Sequence, residues 1–249
     1  MFTETDYDKL QQIMAESSEK KELLTKLLET HQMELSTISH EIRNPLTLVY
    51  STLQLIENEH PEVHTYRHWD MMHQDIEYMK QLLEELSSYN NGSRITLEIL
   101  STTTFIRTLA LSFAASLVDT DIVFTSRIPD DLPQIHGDSL KLRQVILNLL
   151  KNAKDAVTAT SYDDHTHPAI SLCAYTEDSG LVIDITDNGH GIKPEQIDSV
   201  FTPFVTYKKD GTGLGLAVAS RIVKAHGGSL AVSSSPYIAT VFTLRLPIQ

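Results

Sequence analysis

Three groups of residues in this chain have the types and spacing for chemistry. The first lies in STISHEIRNPLTLVY, Ser36 to Tyr50, where His40 is followed by Glu41, then by Asn44 and Pro45. An imidazole next to a carboxylate can serve as a nucleophile or proton carrier, because an ordinary histidine titrates at about pH 6.5 and stays largely neutral at physiological pH. A capped turn between two ordinary helices would use the same residues. The second group is NLLKNAKDA, in which Asn148 and Asn152 are four residues apart and leave one helix face. Such a pair is either a structural hydrogen-bond network or a site where Asn152 offers its carbonyl oxygen to Mg²⁺, a hard cation that prefers oxygen. The third group is a run of short segments: DNGHGI (Asp187 to Ile192), VFTPFVTYKK (from Val200) and GTGLGL (Gly211 to Leu216). The glycines after Asp187 suit a plain turn, or a carboxylate that accepts a hydrogen bond from an adenine amino group. VFTPFVTYKK reads as the apolar hinge of a mobile loop, with Lys208 able to reach a phosphate. GTGLGL opens a helix, so its amides and the helix N-terminus can face an anion. It lacks the GK[ST] of a Walker A loop, and a glycine-rich loop alone is weak evidence.

The elements that carry these residues can be read from periodicity. Leu35, Ile38, Ile42, Leu46, Val49, Leu53 and Ile56 fall on one stripe of a helix running towards Glu57. His40 then lies about 160° from the centre of that stripe, on the solvent side, with Asn44 on the same outer face. His40 is therefore not a core histidine. NEHPEVH is a turn, with Pro61 near the start of a second helix carrying Val63, Tyr66, Trp69, Met72, Ile76, Met79, Leu83 and Leu86. Two such helices cannot bury their stripes alone, whereas two hairpins packed as a dimer make a four-helix bundle. Upstream, residues 1–30 read as a helical extension with Leu23, Leu24, Leu27 and Leu28 on one side. After Gly92 the pattern changes. RITLEIL, DIVFTSRI, AISLCAY, LVIDIT and ATVFTLRLP read as strands, and SLKLRQVILNLLKNAKDAV and GLGLAVASRIVKAHGG as helices. The mixture, without regular βαβ alternation, implies a two-layer α/β sandwich. The expected division is an extension over 1–30, a helical domain over 31–92 and an α/β domain over 93–249.

Bulk properties narrow the classes. The 249 residues carry a formal net charge of -13, which argues against nucleic acid and anionic membranes as partners. No apolar run approaches the roughly 20 residues of a membrane span, and MFTETDYDKL does not open like a signal peptide. The single cysteine, Cys173, excludes an internal disulfide. Eleven histidines are scattered, with no HExxH spacing, so a metal site built of protein side chains alone is not expected. A cytoplasmic protein is the simple inference.

Taken in order, SHEIRNPL, NLLKNAKDA, DNGHGI, FTPF and GTGLGL resemble the H, N, G1, F and G2 boxes of bacterial sensor histidine kinases. KNAKDA together with TPFVTYKKDGTGLGL is most similar to the nitrogen-regulation and sporulation kinases. The resemblance covers nearly everything after Leu35 and implies a dimeric helical phosphotransfer domain followed by a GHKL ATPase domain of Bergerat fold. It implies that His40 accepts the γ-phosphoryl group of ATP, with Glu41 as general base, and passes it to an aspartate of a separate response regulator. It implies further that Asn44 takes part in dephosphorylating that regulator. Asn148 and Asn152 would frame the Mg²⁺-ATP site, with Asn152 on the metal, and Asp187 would bind adenine. Gly189, Gly191, Gly211, Thr212, Gly213, Leu214 and Gly215 would border a lid holding Phe201 and Phe204, with Lys151 and Lys208 on phosphate. Thr240 matches the threonine of the closing strand near adenine. The family usually has glycine before that threonine and this chain has Ala239, which leaves the local backbone shape open. Two other classes share parts of the pattern: a degenerate GHKL protein that only sequesters a regulator, and a GHKL chaperone or repair ATPase. The latter has no need of SHEIRNP.

Overall fold

In the computed structural model, residues 18–162, 166–178, 180–208 and 211–248 are described; part of the expected N-terminal extension lies outside them. The chain divides into two units, Met1–Asn90 and Asn91–Gln249.

The first unit is helical. Helix α1 spans Ser18–Glu59, so the extension and the following helix are one element rather than two. The reason is visible in the sequence: nothing between Ser18 and Asn44 breaks a helix, since the segment has neither glycine nor proline. Pro45 lies inside α1 and withholds a donor from the Glu41 carbonyl, yet the helix continues beyond it. Beside it, the Thr47 hydroxyl donates to the Arg43 carbonyl at 2.8 Å. Pro61–Thr65 forms a short 3₁₀ helix, not the start of the second α-helix. Helix α2 begins later, over Trp69–Asn91. The Trp69 indole N–H donates to the Glu57 carboxylate at 3.0 Å. The Tyr50 ring meets His73 at 5.4 Å, and the Lys80 ammonium lies 4.7 Å over the same ring. These pairings run Glu57 to Trp69 and Tyr50 to His73 and Lys80, which makes α1 and α2 an antiparallel hairpin. Leu53, Val63 and Ile76 are buried in it.

The second unit holds a five-stranded sheet with helices on one face. Its elements are β1 (Glu98–Leu100), α3 (Thr102–Ala115), β2 (Val123–Arg127), β3 (Ile135–Gly137), α4 (Ser139–Thr158), β4 (Ala169–Glu177), β5 (Gly180–Asp187), α5 (Pro194–Ile197), α6 (Gly215–Ala225), β6 (Ser229–Ser235) and β7 (Ala239–Pro247). The sheet order is β2-β4-β5-β7-β6; β2 pairs in parallel with β4 and the other pairings are antiparallel. β1 and β3 form a separate two-stranded ribbon. Only Glu98–Leu100 of RITLEIL is strand, because its partner β3 is equally short.

Alternation places Ile170, Leu172 and Ala174 of β4, Ile183 and Ile185 of β5, and Phe242, Leu244 and Leu246 of β7 on the helix-covered face, all buried. Against them α4 buries Leu142, Val145, Ile146, Leu149, Leu150, Ala153 and Val157, the three-four spacing of one helix stripe. Each large apolar side chain among them contributes about 1.5–3 kcal/mol when fully buried. Val182 breaks the alternation and is buried on the other face, between its cross-strand neighbours Tyr175 and Arg245.

Two devices set α4 and α6 relative to each other. Asp138 caps α4, with Oδ1 accepting from the Lys141 N–H at 3.0 Å. Burial acts to raise its pKa, but the N–H groups of Thr96, Lys141 and Leu140 outweigh that and hold it below the usual range. The buried His226 at the end of α6 accepts from the Asp138 N–H through Nε2 at 3.0 Å, so Nδ1 carries the proton it donates to the Ile222 carbonyl at 2.8 Å.

Candidate active site

Helix α4 carries Asn148, Lys151, Asn152 and Asp155 on successive turns. Asn148 Nδ2 donates to the Gly215 carbonyl at 2.6 Å, tying α4 to the first residue of α6. A Cβ on Gly215 would lie 2.8 Å from Asn148 Oδ1, so a larger residue here would push that side chain aside. Asn148 thus makes a structural bond at the edge of the site. Lys151 is exposed. Asn152 Oδ1 accepts from the Lys208 ammonium at 2.8 Å, and Asp155 Oδ2 accepts from the same nitrogen at 2.8 Å.

Asp187 ends β5 on the helix-covered face, in register with Ile170 on one side and Thr240 on the other. Its residue exposure is 3%, in a row otherwise apolar. Oδ1 accepts from the Gly189 N–H at 2.9 Å, and no hydrogen bond from a described residue reaches Oδ2. Burial pushes its pKa up, against the Gly189 N–H and the charges of His190 and Lys208. Gly189 lies against α4 so tightly that a Cβ would meet the Ala156 carbonyl carbon at 2.6 Å. Thr240, also buried, shares a hydrogen bond of 2.9 Å with Ser234, whose hydroxyl accepts from the Ile192 N–H at 2.9 Å. A buried carboxylate and a hydroxyl thus stand side by side on neighbouring strands. Ala239 is accommodated as an ordinary strand residue opposite Ser235.

Gly191 has φ +77° and faces Pro236 closely. The segment after α5 is held at both ends. The Phe201 ring packs edge-on against Phe242 with centroids 6.4 Å apart, anchoring the segment to the sheet. Phe204 is 58% exposed, so the two phenylalanines are not equivalent. The Phe204 N–H donates to the Gly213 carbonyl at 3.0 Å. Both residues have left-handed backbones, φ 64° and 69°. The Gly211 N–H donates to the Lys208 carbonyl at 3.3 Å, and Thr212 Oγ1 accepts from the Leu214 N–H at 3.2 Å. Leu214 is buried and precedes α6, whose N-terminus begins at Gly215.

Four contributors were not evident from the sequence. Asp155 and Ser234 act as above. Asn188 accepts from the Ala169 N–H at 2.8 Å and donates to the His167 carbonyl at 2.8 Å, and the Tyr162 hydroxyl donates to its backbone carbonyl at 3.2 Å. Burial raises the Tyr162 pKa, with a further push from the Asp187 charge.

The donor set fits a magnesium ion bound together with phosphate. Asn152 and Asp155 supply hard oxygens that converge on a cation, and among the described residues no group of three or more His, Cys, Asp or Glu could hold a metal by itself. Mg²⁺ is commonly bound by one or two protein oxygens, its shell completed by phosphate and water.

In the first unit, His40 lies on α1, and its side chain is outside those described. Glu41 and Asn44 are exposed. Ile38, Ile42 and Val49, on the apolar stripe, are 50%, 49% and 47% exposed, so the single chain leaves these positions of the stripe open while Leu53 is buried.

Comparison with known proteins gives a family match in each unit. Residues 30–92 match the family described as His Kinase A (phospho-acceptor) domain. Residues 137–249 match the family of histidine kinase-, DNA gyrase B- and HSP90-like ATPases. Sensor histidine kinase ZraS of Escherichia coli (strain K12) is 34% identical over 217 residues, which are 85% of this chain and 44% of ZraS. The chain therefore spans less than half the length of that relative. The crystal structure of full-length ShkA in complex with AMPPNP superposes with a TM-score of 0.70 at 25% identity, over 86% of this chain and 45% of that one. Histidine kinase ThkA in complex with response regulator protein TrrA shares the fold at TM-score 0.62 and 18% identity, over 89% of this chain and 64% of that one. In order along the chain, then, stand a phospho-acceptor domain of the His Kinase A family and an ATPase domain of the histidine kinase-, DNA gyrase B- and HSP90-like family.

Proposed function

We propose that this chain is an ATP-dependent protein histidine kinase that phosphorylates His40 and passes the phosphoryl group to an aspartate of a separate response regulator. The observation that carries the reading is the union, in one chain, of a phospho-acceptor match over 30–92 with an ATPase unit whose Asp187 is buried with one oxygen free of any described donor. Asp187 accepts from the adenine amino group, and Thr240 lies beside it. Asn152 holds Mg²⁺, which neutralises phosphate charge when bound with ATP. Lys208 and Lys151 contact phosphate. Gly189 and Gly191 border the adenine side; Gly211, Thr212, Gly213, Leu214 and Gly215 border the phosphate side. A ring nitrogen of His40 attacks the γ-phosphorus: an N–P bond forms, the bond to the ADP oxygen breaks, and Glu41 takes the ring proton. In the second step an aspartate oxygen of the regulator forms the P–O bond and the N–P bond breaks. ThkA, with its bound regulator, supports that class of partner. Transfer from the labelled chain to a panel of receiver domains tests this half of the reading; no transfer to any would reject it.

No described helix is long and apolar enough to cross a membrane. The reading places the reaction in the cytoplasm, where ATP is at hand. The open stripe of Ile38, Ile42 and Val49, joined by Met72 and Met79 at 39% and 44% exposure, supports a homodimer built on α1 and α2. Light scattering at micromolar concentration should give the mass of two chains; a monomer would contradict the dimer.

Asn44 lies one helical turn beyond His40, exposed, where its amide can orient a water towards a docked phospho-aspartate. Asn44→Ala is expected to slow dephosphorylation of the cognate regulator about tenfold or more while leaving labelling of His40 within about twofold, because the orientation of the attacking water is lost and nothing that acts on the imidazole is. Equal loss of both reactions would show instead that the helix had been disturbed.

A further inference from the structure

Asp155 follows Asn152 by three residues on α4, so the two side chains share one helix face. The Lys208 ammonium is 2.8 Å from Asp155 Oδ2 and 2.8 Å from Asn152 Oδ1. Two oxygens from separate side chains therefore converge on one point, and that point accepts a positive charge. Lys208 arrives there from a segment more than fifty residues away, its own N–H donating to Thr206 Oγ1 at 3.2 Å. An ordinary surface ion pair between Lys208 and Asp155 needs no carboxamide oxygen at the same distance. The shared geometry is what a compact cation requires.

We propose that Asp155 is the second protein oxygen of the cation position at Asn152, and that the Lys208 ammonium competes with a divalent ion for it. This rests on the nucleotide-binding role proposed for the site. A carboxylate adds a full negative charge to the dipole of the Asn152 carbonyl, and hard divalent ions select oxygen donors by charge and number. When such an ion takes the position, the ammonium is displaced and becomes available to phosphate. Asp155 and Lys208 are both partly exposed, at 44% and 40%, so the exchange needs no opening of the core.

The test compares binding of a non-hydrolysable ATP analogue to the full chain, by calorimetry, with EDTA and with Mg²⁺. The ratio of the two affinities reports what the metal adds. Asp155→Asn is expected to cut the Mg²⁺-dependent gain about tenfold, the scale on which groups around a metal act. Asp155→Glu, which keeps the charge, should recover most of the gain. Lys208→Met should lower the Mg²⁺ concentration at which half of the gain is reached, by removing the competitor. If Asp155→Asn keeps the full gain while Asn152→Ala loses it, the inference is overturned and the site's proposed role stands. If Asn152→Ala also keeps the gain, the metal role of the whole site falls, and the inference with it. An Asp155→Glu gain no larger than that of Asp155→Asn would likewise overturn it, because charge would not be what matters.

Discussion

His40→Gln is expected to abolish labelling of the chain by γ-labelled ATP while leaving nucleotide binding intact. Glutamine is about the size of histidine and suits a helix, so α1 should persist. It has no basic ring nitrogen and cannot attack phosphorus. The residues proposed to bind ATP all belong to the unit Asn91–Gln249, which has its own core, so nucleotide affinity should stay within about twofold. In the parent chain the label should be lost in acid and survive base, as the N–P bond of a phosphohistidine requires. Gel labelling with acid and base washes, beside calorimetric nucleotide binding, checks both parts. Label that persists in His40→Gln would remove His40 from the reaction.

Asp187→Asn is expected to weaken nucleotide binding about 100-fold or more and to abolish labelling at ordinary ATP concentrations. The Gly189 N–H already occupies Oδ1, so an asparagine that keeps this bond turns its NH₂ towards the adenine amino group. A donor then faces a donor: a hydrogen bond to a charged group, worth about 1.5–3 kcal/mol, is lost, and the unpaired donors add to the cost. Folding should not suffer, because Asp187 is buried and charged in an apolar row, and burial alone raises its pKa. The same raised pKa has a consequence for acidification. Nucleotide binding needs the ionised carboxylate, so affinity should begin to fall at a higher pH than for a solvated aspartate. Calorimetry with the parent and Asp187→Asn, across a pH series, measures both; unchanged affinity in the variant would reject the adenine role.

The local signals and the distant contacts were not equally legible in the sequence. His40, Asn152 and Asp187 sit in short segments whose neighbours announce them, and the stripes of α1, α2 and α4 follow from three-four spacing. The α/β sandwich could be expected from LVIDIT and AISLCAY, which pair as an antiparallel hairpin. Helix α3 is obscured at its start: it opens with Thr102, Thr103 and Thr104, whose branched side chains favour strands, and the three-four spacing of its buried Ile106, Leu109, Ala110 and Phe113 follows only later. Strand β6 is serine-rich, and it exists because β7 pairs with it along its length. Asp155, Ser234 and Asn188 acquire their roles from partners far along the chain, Lys208, Ile192 and Tyr162, and no local pattern encodes such contacts. Asn148 shows the converse case, a motif residue whose amide is engaged with the Gly215 carbonyl.

The central claim is that the phosphoryl group of ATP is transferred to one imidazole on α1. Mapping the phosphorylated residue tests it most directly. The full chain is incubated with ATP and Mg²⁺, digested at alkaline pH so that an N–P bond survives, and its peptides are fragmented in a mass spectrometer. The phosphoryl group should be found on the peptide containing SHEIRNPL, with the fragments assigning it to His40. A phosphoryl group on a serine, threonine or another histidine, or none on any peptide while ATP is bound, would contradict it.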